Sequence, residues 1–378
     1  MRLEDLCEEF VDCKNRTAPL DEGGEFFAVG TPAMRSNRIS FGEARPISRS
    51  TYELWTARLV PREGDLLLAR EAPVGPVVLV PRAPRVAAGQ RTVLLRVDPA
   101  VAVAKCLYYY LIDSGTQQRL QGLAHGSTVP HLRLSDVRDF EVDLPDLATQ
   151  TAIADVLGAL DDKIAANERA NSIASALSQS LLVRASDSVP LVPLGQLVDV
   201  PRNTVTPVPG GVWHFSLPAF DEGEVPKMED GAEIKSAKQR LDQPAVLLSK
   251  LNPRIPRVWD VASIPEAHPA LASTEFIVLE PRSASTAVLA AALRLPTSLD
   301  GLQSLARGTS GSHQRVSPAD AMALEIPDVR QLPVDLREKL AVLAAATASR
   351  RTESARLAAT RDALLPELMS GRLAVKNI

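Results

Sequence analysis

Cysteine, histidine and long apolar runs are all scarce in this chain of 378 residues. Its 3 cysteines, Cys7, Cys13 and Cys106, form no CxxC pair, so we expect free thiols in a reducing compartment. None of the 5 histidines stands in an HExxH or HxxxH arrangement, which argues against a metal site. No apolar run approaches the roughly 18–20 residues of a membrane span, and the opening MRLEDLCEEF is acidic where a secretory signal is basic and then apolar. These absences predict a soluble cytoplasmic protein.

Motifs that hold the cofactors of common enzymes are absent as well. The sequence has no GxGxxG or FxGxG cofactor loop, no GxxxxGK[ST] phosphate loop and no [DNS]PP[YFW] amino-methylation motif. The segment NPRI at Asn252 shares only two letters with the last of these, and Arg254 stands where its second proline belongs. Since no catalytic constellation can be assembled, we predict a non-catalytic chain.

The overall composition is that of a globular protein. Hydrophobic residues make up 45% and charged residues 23% of the chain, values at which wholesale disorder is not expected. The net charge of −4 argues against a small basic nucleic-acid binder, although a large protein can keep a basic surface local. The length allows two or three domains.

One stretch of the sequence occurs twice. LAHGSTVPHLRLSDVRDFEVDLPD, from Leu123, aligns without gaps with LARGTSGSHQRVSPADAMALEIPD, from Leu305, at an offset of 182 residues. Upstream, LLLAREAPVGPVVLV (66–80) faces VLLSKLNPRIPRVWDV (246–261) and pairs Arg70 with Lys250. The period is far longer than the roughly 20–50 residues of a solenoid repeat, so it predicts a duplicated domain.

Alanine-rich segments separate and follow the two repeated parts. In the first segment an apolar residue recurs every three or four positions, the heptad pattern of a coiled coil, at Ile153, Leu157, Leu160 and Ile164. The stripe then shifts to Ala166, Ala170, Ile173, Leu177 and Leu181. The second segment starts near Val334 and has a similar pattern. Because a lone helix is marginal in water, we expect two long helices that pack antiparallel.

The predicted fold class is therefore α+β with a pseudo-twofold internal repeat. Two tandem mixed α/β domains are separated by long antiparallel coiled-coil helices. The predicted boundaries are 1–147 for the first domain, 148–186 for the first helix, 187–332 for the second domain and 333–378 for the second helix with its tail.

The repeated loops GSTVPHLR and GTSGSHQR join glycine and hydroxyl residues to histidine and arginine, which suits contact with a phosphate backbone. The alternative is that both loops only shape a turn and that His131 and His313 satisfy buried carbonyls. Basic residues at strand ends and in the turn-rich amino-terminal segment are further candidates. The candidate contact residues are Arg35, Arg38, Arg49, Arg70, Ser127, Thr128, His131, Arg133, Lys250, Arg254, Arg257, Thr309, Ser310, His313 and Arg315.

Four segments of the sequence carry a further signal. They are EGDLLLAREAPVG (63–75), GSTVPHL (126–132), LPDLATQTAIADVLGALDDKI (144–164) and LLPELMSGRLAV (364–375). Together they resemble the specificity (S) subunit family of Type I restriction–modification systems, and with the duplication the resemblance covers essentially the whole chain. The second half departs more, since Gln243-Pro244 replaces the Gly64-Asp65 pair.

The resemblance implies a DNA-binding subunit without catalytic activity. Two target recognition domains would each read one half of a split, asymmetric site in double-stranded DNA, and the helices would set the spacing and dock two methyltransferase (modification) subunits. S-adenosylmethionine, and ATP and Mg²⁺ for restriction, would bind the modification and restriction (translocase) partners, with no cofactor on this chain. The helix residues expected at the partner contact are Ile153, Leu157, Leu160, Ile164, Leu340, Leu343, Leu357 and Leu364.

Two alternatives stay open at this point. One is a self-contained DNA methyltransferase or nuclease that uses unorthodox motifs. The other is a DNA-recognition or scaffold subunit of a related phage-defence system without restriction activity, an alternative that the net negative charge keeps open.

Overall fold

The computed structural model describes residues 1–82, 85–126, 128–307 and 314–375. The chain divides into two compact units, Met1–Asp162 with Ala358–Ile378 and Lys163–Leu357. Both divisions fall inside long helices, so each unit combines one mixed α/β module with one part of each helix. The α/β part of the first unit (residues 1–146) is called module 1, and that of the second unit (residues 187–333) is called module 2.

Module 1 is built from short strands and helices. Its strands are β1 (Cys7–Asp12), β2 (Phe26–Val29), β3 (Met34–Arg35), β4 (Arg38–Ile39), β5 (Arg45–Ile47), β6 (Leu66–Arg70), β7 (Val74–Leu79), β8 (Val86–Ala88) and β9 (Thr92–Val97). Its helices are α1 (Arg49–Trp55), α2 (Ala104–Ile112), α3 (Ser114–Gly122) and α4 (Leu134–Arg138).

The main sheet of module 1 is antiparallel, in the order β1-β9-β6-β7. The sequence of strand β6 is one apolar run. Leu66 to Ala69 are completely buried, because other residues cover both faces of the strand. Helix α2 covers this sheet and places the fully buried ring of Tyr109 in the core. A smaller sheet, β5-β2-β8, contains one parallel pair, β2 with β8.

The long helix α5 (Leu147–Ser186) follows and leads into module 2. The strands of module 2 are β10 (Leu191–Pro193), β11 (Val198–Asp199), β12 (Thr204–Val205), β13 (Gly211–Phe215), β14 (Lys227–Asp230), β15 (Lys238–Leu241), β16 (Ala245–Ser249), β17 (Val258–Val261), β18 (Ala270–Ser273), β19 (Phe276–Pro281) and β20 (Glu325–Pro327). Its helices are α6 (Leu217–Asp221), α7 (Thr286–Leu293), α8 (Pro296–Ser304) and α9 (Pro318–Met322). A second long helix, α10 (Val334–Met369), ends the chain.

Module 2 repeats the architecture of module 1. Its sheet β11-β19-β16-β17 has the same strand order as β1-β9-β6-β7. A second sheet, β12-β15-β18-β13-β14, again contains one parallel pair, β13 with β18. The α+β class and the internal repeat that the sequence predicted are confirmed by this matching order.

The two long helices run antiparallel within each unit. In the first unit Leu157 of α5 shares a core with Leu365 of α10. In the second unit Leu182 of α5 shares a core with Leu340 of α10. A later residue of α5 thus meets an earlier residue of α10, as the sequence predicted. No helix in the described part of the chain has the length and hydrophobicity needed to cross a bilayer.

The expected shift of the apolar stripe along α5 is wrong. Ile173 and Leu177 are 69% and 46% exposed, whereas Asn167 and Ala174 are 3% and 6% exposed. The seam therefore continues in the spacing set by Ile164 and passes through a polar residue. The Asn167 amide is satisfied there by atoms of α10, with 2.7 Å to the Glu353 carboxylate and 3.2 Å to the Ser354 hydroxyl. A buried amide with such partners carries little penalty.

Charged side chains fix each module to its helices. In the first unit, Asp161 of α5 accepts hydrogen bonds from the Tyr109 hydroxyl at 2.7 Å and from Arg361 of α10 at 2.7 Å. In the second unit, Arg351 of α10 forms a bidentate pair with Glu224 at 2.5 and 2.6 Å. Burial raises the pKa of Glu224 and lowers the pKa of Arg351. The Tyr109–Asp161 and Glu224–Arg351 contacts each join a module to a long helix, so they fix the orientation of module and helix within that unit.

Candidate nucleic-acid interface

Module 1 fixes the base of a loop at the end of β6. His125 and His131 form a β-bridge with N–H to carbonyl distances of 2.8 and 2.9 Å, and Leu132 N–H donates to the Arg70 carbonyl at 2.8 Å. Gly126 turns the chain at φ +93°, and a Cβ there would lie 3.1 Å from a backbone oxygen across the loop. Glycine is therefore needed at this turn, and the loop stands on two hydrogen-bonded strands.

Module 2 has the same loop base, but the residue that closes it lies two positions later than the gapless alignment predicts. Arg307 and Arg315 form the bridge with reciprocal distances of 3.0 Å, and the next N–H donates to the Lys250 carbonyl at 2.9 Å. His131 therefore corresponds to Arg315 rather than to His313, an offset of 184 residues instead of 182. The gapless register was wrong here because five residues separate the bridged pair in module 1 and seven separate it in module 2, so an alignment of the two supports needs a gap of two residues.

Part of the predicted contact set falls outside the described residues. These positions are Ser127, Thr309, Ser310 and His313.

The described side chains around the first loop are open to solvent. Thr128, His131 and Arg133 are all exposed, so the His131 ring does not serve a buried carbonyl. Arg133 stands at the N-cap of α4, where its backbone N–H donates to the Asp136 carboxylate at 3.0 Å. Asp136 also lies 3.1 Å from the ring nitrogen of His125. The loop thus presents a hydroxyl, an imidazole and a guanidinium on one ordered support.

The basic residues at the strand ends have a structural task. Arg70 donates to Asp12 at 2.7 Å and to the Leu132 carbonyl at 3.0 Å, which ties the loop base to β1. Lys250 occupies the corresponding place in module 2, and burial lowers the pKa of its ammonium group. Direct contact of either residue with a ligand stays a prediction.

Several other predicted contact arginines form ion pairs within the chain. They are Arg35 with Glu43 at 2.8 Å, Arg38 with Asp161 at 3.5 Å, Arg257 with Asp221 at 2.6 Å and Arg315 with Glu275 at 3.2 Å. Arg49 and Arg254 are exposed, and the Arg49 guanidinium lies 5.1 Å from the centroid of the Phe26 ring. Neutralisation by a neighbouring acid weakens the attraction of an arginine for phosphate.

Two basic residues that the sequence analysis passed over lie near Arg49. Lys14 Nζ is 5.2 Å and Arg16 Cζ is 5.0 Å from the centroid of the Trp55 ring. The feature of the sequence that pointed to these two residues was the set of aromatic residues interleaved with basic ones in this part of the chain. It was not decisive, because Lys14 and Trp55 are about 40 positions apart.

The helix residues predicted to contact partners are used inside the chain. Ile153, Leu157, Ile164 and Leu340 are between 0% and 5% exposed. The others, Leu160, Leu343, Leu357 and Leu364, are half-buried. Ile153, Leu157 and Leu340 pack in the cores of the two units, and contact of the eight residues with a partner stays a prediction.

The described residues hold no group of three or more His, Cys, Asp or Glu side chains arranged to ligate a metal ion. The three cysteines are free, two of them buried and Cys7 partly so. Burial raises the pKa of both Cys7 and Cys106 to about 12, so these thiols stay protonated at neutral pH.

Comparison with known proteins gives a similarity to the same family that the sequence motifs resemble. Residues 1–174 match the family model of the Type I restriction modification DNA specificity domain. The chain is 30% identical over 144 residues to the Type I restriction enzyme MjaIX specificity subunit of Methanocaldococcus jannaschii. That alignment covers 38% of this chain and 32% of the relative, so the match spans about a third of the relative's length.

The solved structures extend the likeness to the fold of the whole chain. A crystal structure of the S subunit of a Type I restriction–modification system from M. genitalium superposes with a TM-score of 0.56. The superposition covers 97% of this chain and 98% of that one at 17% identity. At this identity the comparison shows similarity of the fold alone. Over residues 1–174, the chain therefore resembles the Type I restriction modification DNA specificity domain, and its fold resembles that of a solved S subunit.

Proposed function

We propose that this chain is the non-catalytic DNA specificity subunit of a Type I restriction–modification complex, in which each module reads one half of a bipartite, asymmetric DNA site. The observation that carries the proposal is the repeated loop base, with His125 and His131 bridged in module 1 and Arg307 and Arg315 bridged in module 2. Two copies of one support in a single chain, differing in sequence, suit two half-sites that differ in sequence.

The loop of module 1 has the chemistry for this task. Its exposed Thr128, His131 and Arg133 can donate to phosphate oxygens or to base edges in a groove. The bridge beneath them limits backbone freedom, so less ordering is needed when DNA binds. The second module contributes the same support, with seven instead of five residues between the bridged positions and a different sequence there.

The helices would dock the two methyltransferase (modification) subunits. On α5 an apolar stripe of Ala166, Ala170, Ile173 and Leu177 lies beside the seam, and its two large residues are exposed. Apolar side chains at heptad spacing on a helix surface favour packing against a partner helix. In this proposal S-adenosylmethionine, and ATP with Mg²⁺ for restriction, bind the partner subunits.

The docking stripe gives a direct prediction. Ile173→Asp places a charge in the proposed contact but leaves the seam untouched, so the affinity for a modification subunit should fall at least tenfold at unchanged thermal stability. Glu168→Asp on the same helix serves as the control. Titration of the purified subunits checks the result, and an unchanged affinity would remove this stripe from the docking surface.

The proposed function is tested by reconstitution. The purified chain alone should neither bind S-adenosylmethionine in a calorimetric titration nor methylate DNA. Together with its modification subunits it should methylate one asymmetric, two-part sequence, which methylome sequencing of cells with and without the gene identifies. Robust methylation by the single chain would instead support a self-contained methyltransferase.

A further inference from the structure

Five basic residues in the described part of module 1 lie over aromatic rings, and three of them, Lys14, Arg16 and Arg49, lie around α1 and β2. Lys14 and Arg16 lie over the same ring, Trp55, at 5.2 and 5.0 Å, and Arg49 lies over Phe26 at 5.1 Å. Each ring attracts a cation through its negative face and fixes the position of the charged group. This arrangement, called the ring-mounted face below, lies around α1 and β2.

No acid neutralises this face. Within the described ranges, Lys14, Arg16 and Arg49 have no carboxylate within ion-pair distance. Asp12, close by in sequence, is engaged by Arg70 at 2.7 Å. The positive charge of the face therefore remains available to an external anion.

Packing alone does not explain two like charges on one ring. Trp55 is 8% exposed, and an apolar side chain would cover it without the repulsion between two cations. Their stems bury the ring while the charged heads stay at the surface, where Arg16 is exposed. A ligand with closely spaced negative charges would relieve this repulsion.

The surroundings of the face fit a phosphate backbone. A shallow depression beside Arg16 and Trp55 is lined by the hydroxyl residues Thr17, Ser50 and Thr51. Hydroxyl groups next to guanidinium groups are typical of contacts to the sugar–phosphate chain, which position a protein on DNA without reading its sequence.

Three basic residues of module 2 are neutralised by neighbouring acids. Lys227 pairs with Glu222 at 2.5 Å, Arg240 with Asp242 at 2.7 Å and Arg282 with Asp199 at 2.8 Å. Its aromatic rings face one another in the core around Trp259. These three cations are therefore less available to a polyanion than Lys14, Arg16 and Arg49, and they provide a matched comparison.

We infer that Lys14, Arg16 and Arg49 bind the phosphate backbone of duplex DNA and supply a measurable share of the salt-dependent part of the affinity. The inference rests on the proposed function, because it names a surface through which the DNA specificity subunit holds its DNA.

The test measures the binding of the full chain to a 30-base-pair duplex of random sequence over a range of salt concentrations. The variant combines Lys14→Gln, Arg16→Gln and Arg49→Gln. Glutamine removes the positive charge and keeps an aliphatic side-chain stem over each ring. Each lost phosphate contact lowers the magnitude of the slope of log K against log salt by about 0.9, so the loss should reach about 2.7. The matched control removes the same number of charges from module 2 by Lys227→Gln, Arg240→Gln and Arg282→Gln, and its slope should stay close to that of the parent chain.

A charge-retaining variant separates electrostatics from folding. Lys14→Arg with Arg16→Lys and Arg49→Lys should keep the parent slope, and thermal unfolding of every variant establishes that the fold is intact. An unchanged slope in the glutamine variant, or an equal loss in the module 2 control, would overturn the inference while DNA binding itself stands. A parent chain that binds no duplex at any salt concentration, alone or with modification subunits, would overturn the proposed function.

Discussion

Arg70 and Arg133 flank the same loop of module 1, but their side chains have different surroundings. Arg70 is tied to Asp12 and to a backbone carbonyl, with 20% of its side chain exposed. Arg133 has an exposed side chain at the start of α4. A half-buried ion pair with a second hydrogen bond to the backbone holds structure and an exposed cation can meet a ligand, so the two arginines should respond differently to removal.

We expect Arg133→Ala to weaken binding of the specific DNA site by about 1–3 kcal/mol at unchanged stability. We expect Arg70→Ala to lower the free energy of unfolding by about 1–3 kcal/mol, because Asp12 loses its partner. Fluorescence titration with the specific duplex and chemical denaturation measure the two effects. If Arg133→Ala binds DNA like the parent chain, its side chain has no part in recognition.

A second single-residue effect depends on pH. Hydrogen bonds from Arg330 lower the pKa of the Asp328 carboxyl, whose side chain is 3% exposed. The stability that this carboxylate contributes is complete above its unfolded-state pKa and is lost as pH falls through the lower folded-state pKa. Asp328→Asn should therefore lower the unfolding midpoint at pH 7, and the gap to the parent chain should close toward pH 3. A gap of constant size in thermal scans from pH 7 to pH 3 would contradict this origin.

Among the elements of the fold, α5 shows how one helix carries two stripes with different roles. The inner stripe, from Ile153 and Leu157 through Ile164 to Asn167, packs in the core or meets α10. The outer stripe holds Ile173, which is exposed. Only the inner stripe contributes hydrophobic burial to the stability of this chain.

This division of roles predicts unequal effects for two alanine substitutions on one helix. Leu157→Ala should lower the free energy of unfolding by about 2–5 kcal/mol, because its side chain is completely buried. Ile173→Ala should change it by no more than about 0.5 kcal/mol, because its side chain is exposed. Denaturant titration of both variants provides the measurement. A large loss of unfolding free energy for Ile173→Ala would instead support a seam through Ile173, as the sequence predicted.

On the scale of the whole molecule, residues near the end of the chain complete the core of module 1. Leu365 and Leu368, near the end of α10, belong to the buried core that contains Leu66 and Tyr109 of module 1. Both long helices also pass through the division between the two units, after Asp162 and after Leu357. A fragment that stops after α5 would leave the core of module 1 open on one side.

The continuity of the helices makes the spacing between half-sites testable. Four residues inserted after Asp162 and four after Leu357 are close to one helical turn of 3.6, so they would nearly keep the seam and lengthen each helix by about 6 Å. In the proposed complex the recognised sequence should gain one or two base pairs of unspecified spacer, at about 3.4 Å each, with both half-sites unchanged. Methylome sequencing of cells with each version of the gene shows the spacer. An active variant with the original spacer would show that the helices do not set this distance.

The sequence by itself determined the duplication, the α+β class and the two long antiparallel helices. These features depend on local patterns: apolar runs such as the one at Leu66, heptad spacing from Ile153, and proline or glycine at the turns. Such patterns act within a few residues of the chain, so they can be read without knowledge of distant contacts.

Only the tertiary structure decided the path of the seam, the register of the second loop and the state of each basic residue. Asn167 is buried because Glu353 and Ser354 stand opposite it, 186 and 187 positions along the chain. Arg38 is held by Asp161, 123 positions away, whereas Lys14 shares the ring of Trp55 with a second cation. The energy of a polar or charged group depends on the partners that surround it, and folding alone brings those partners together.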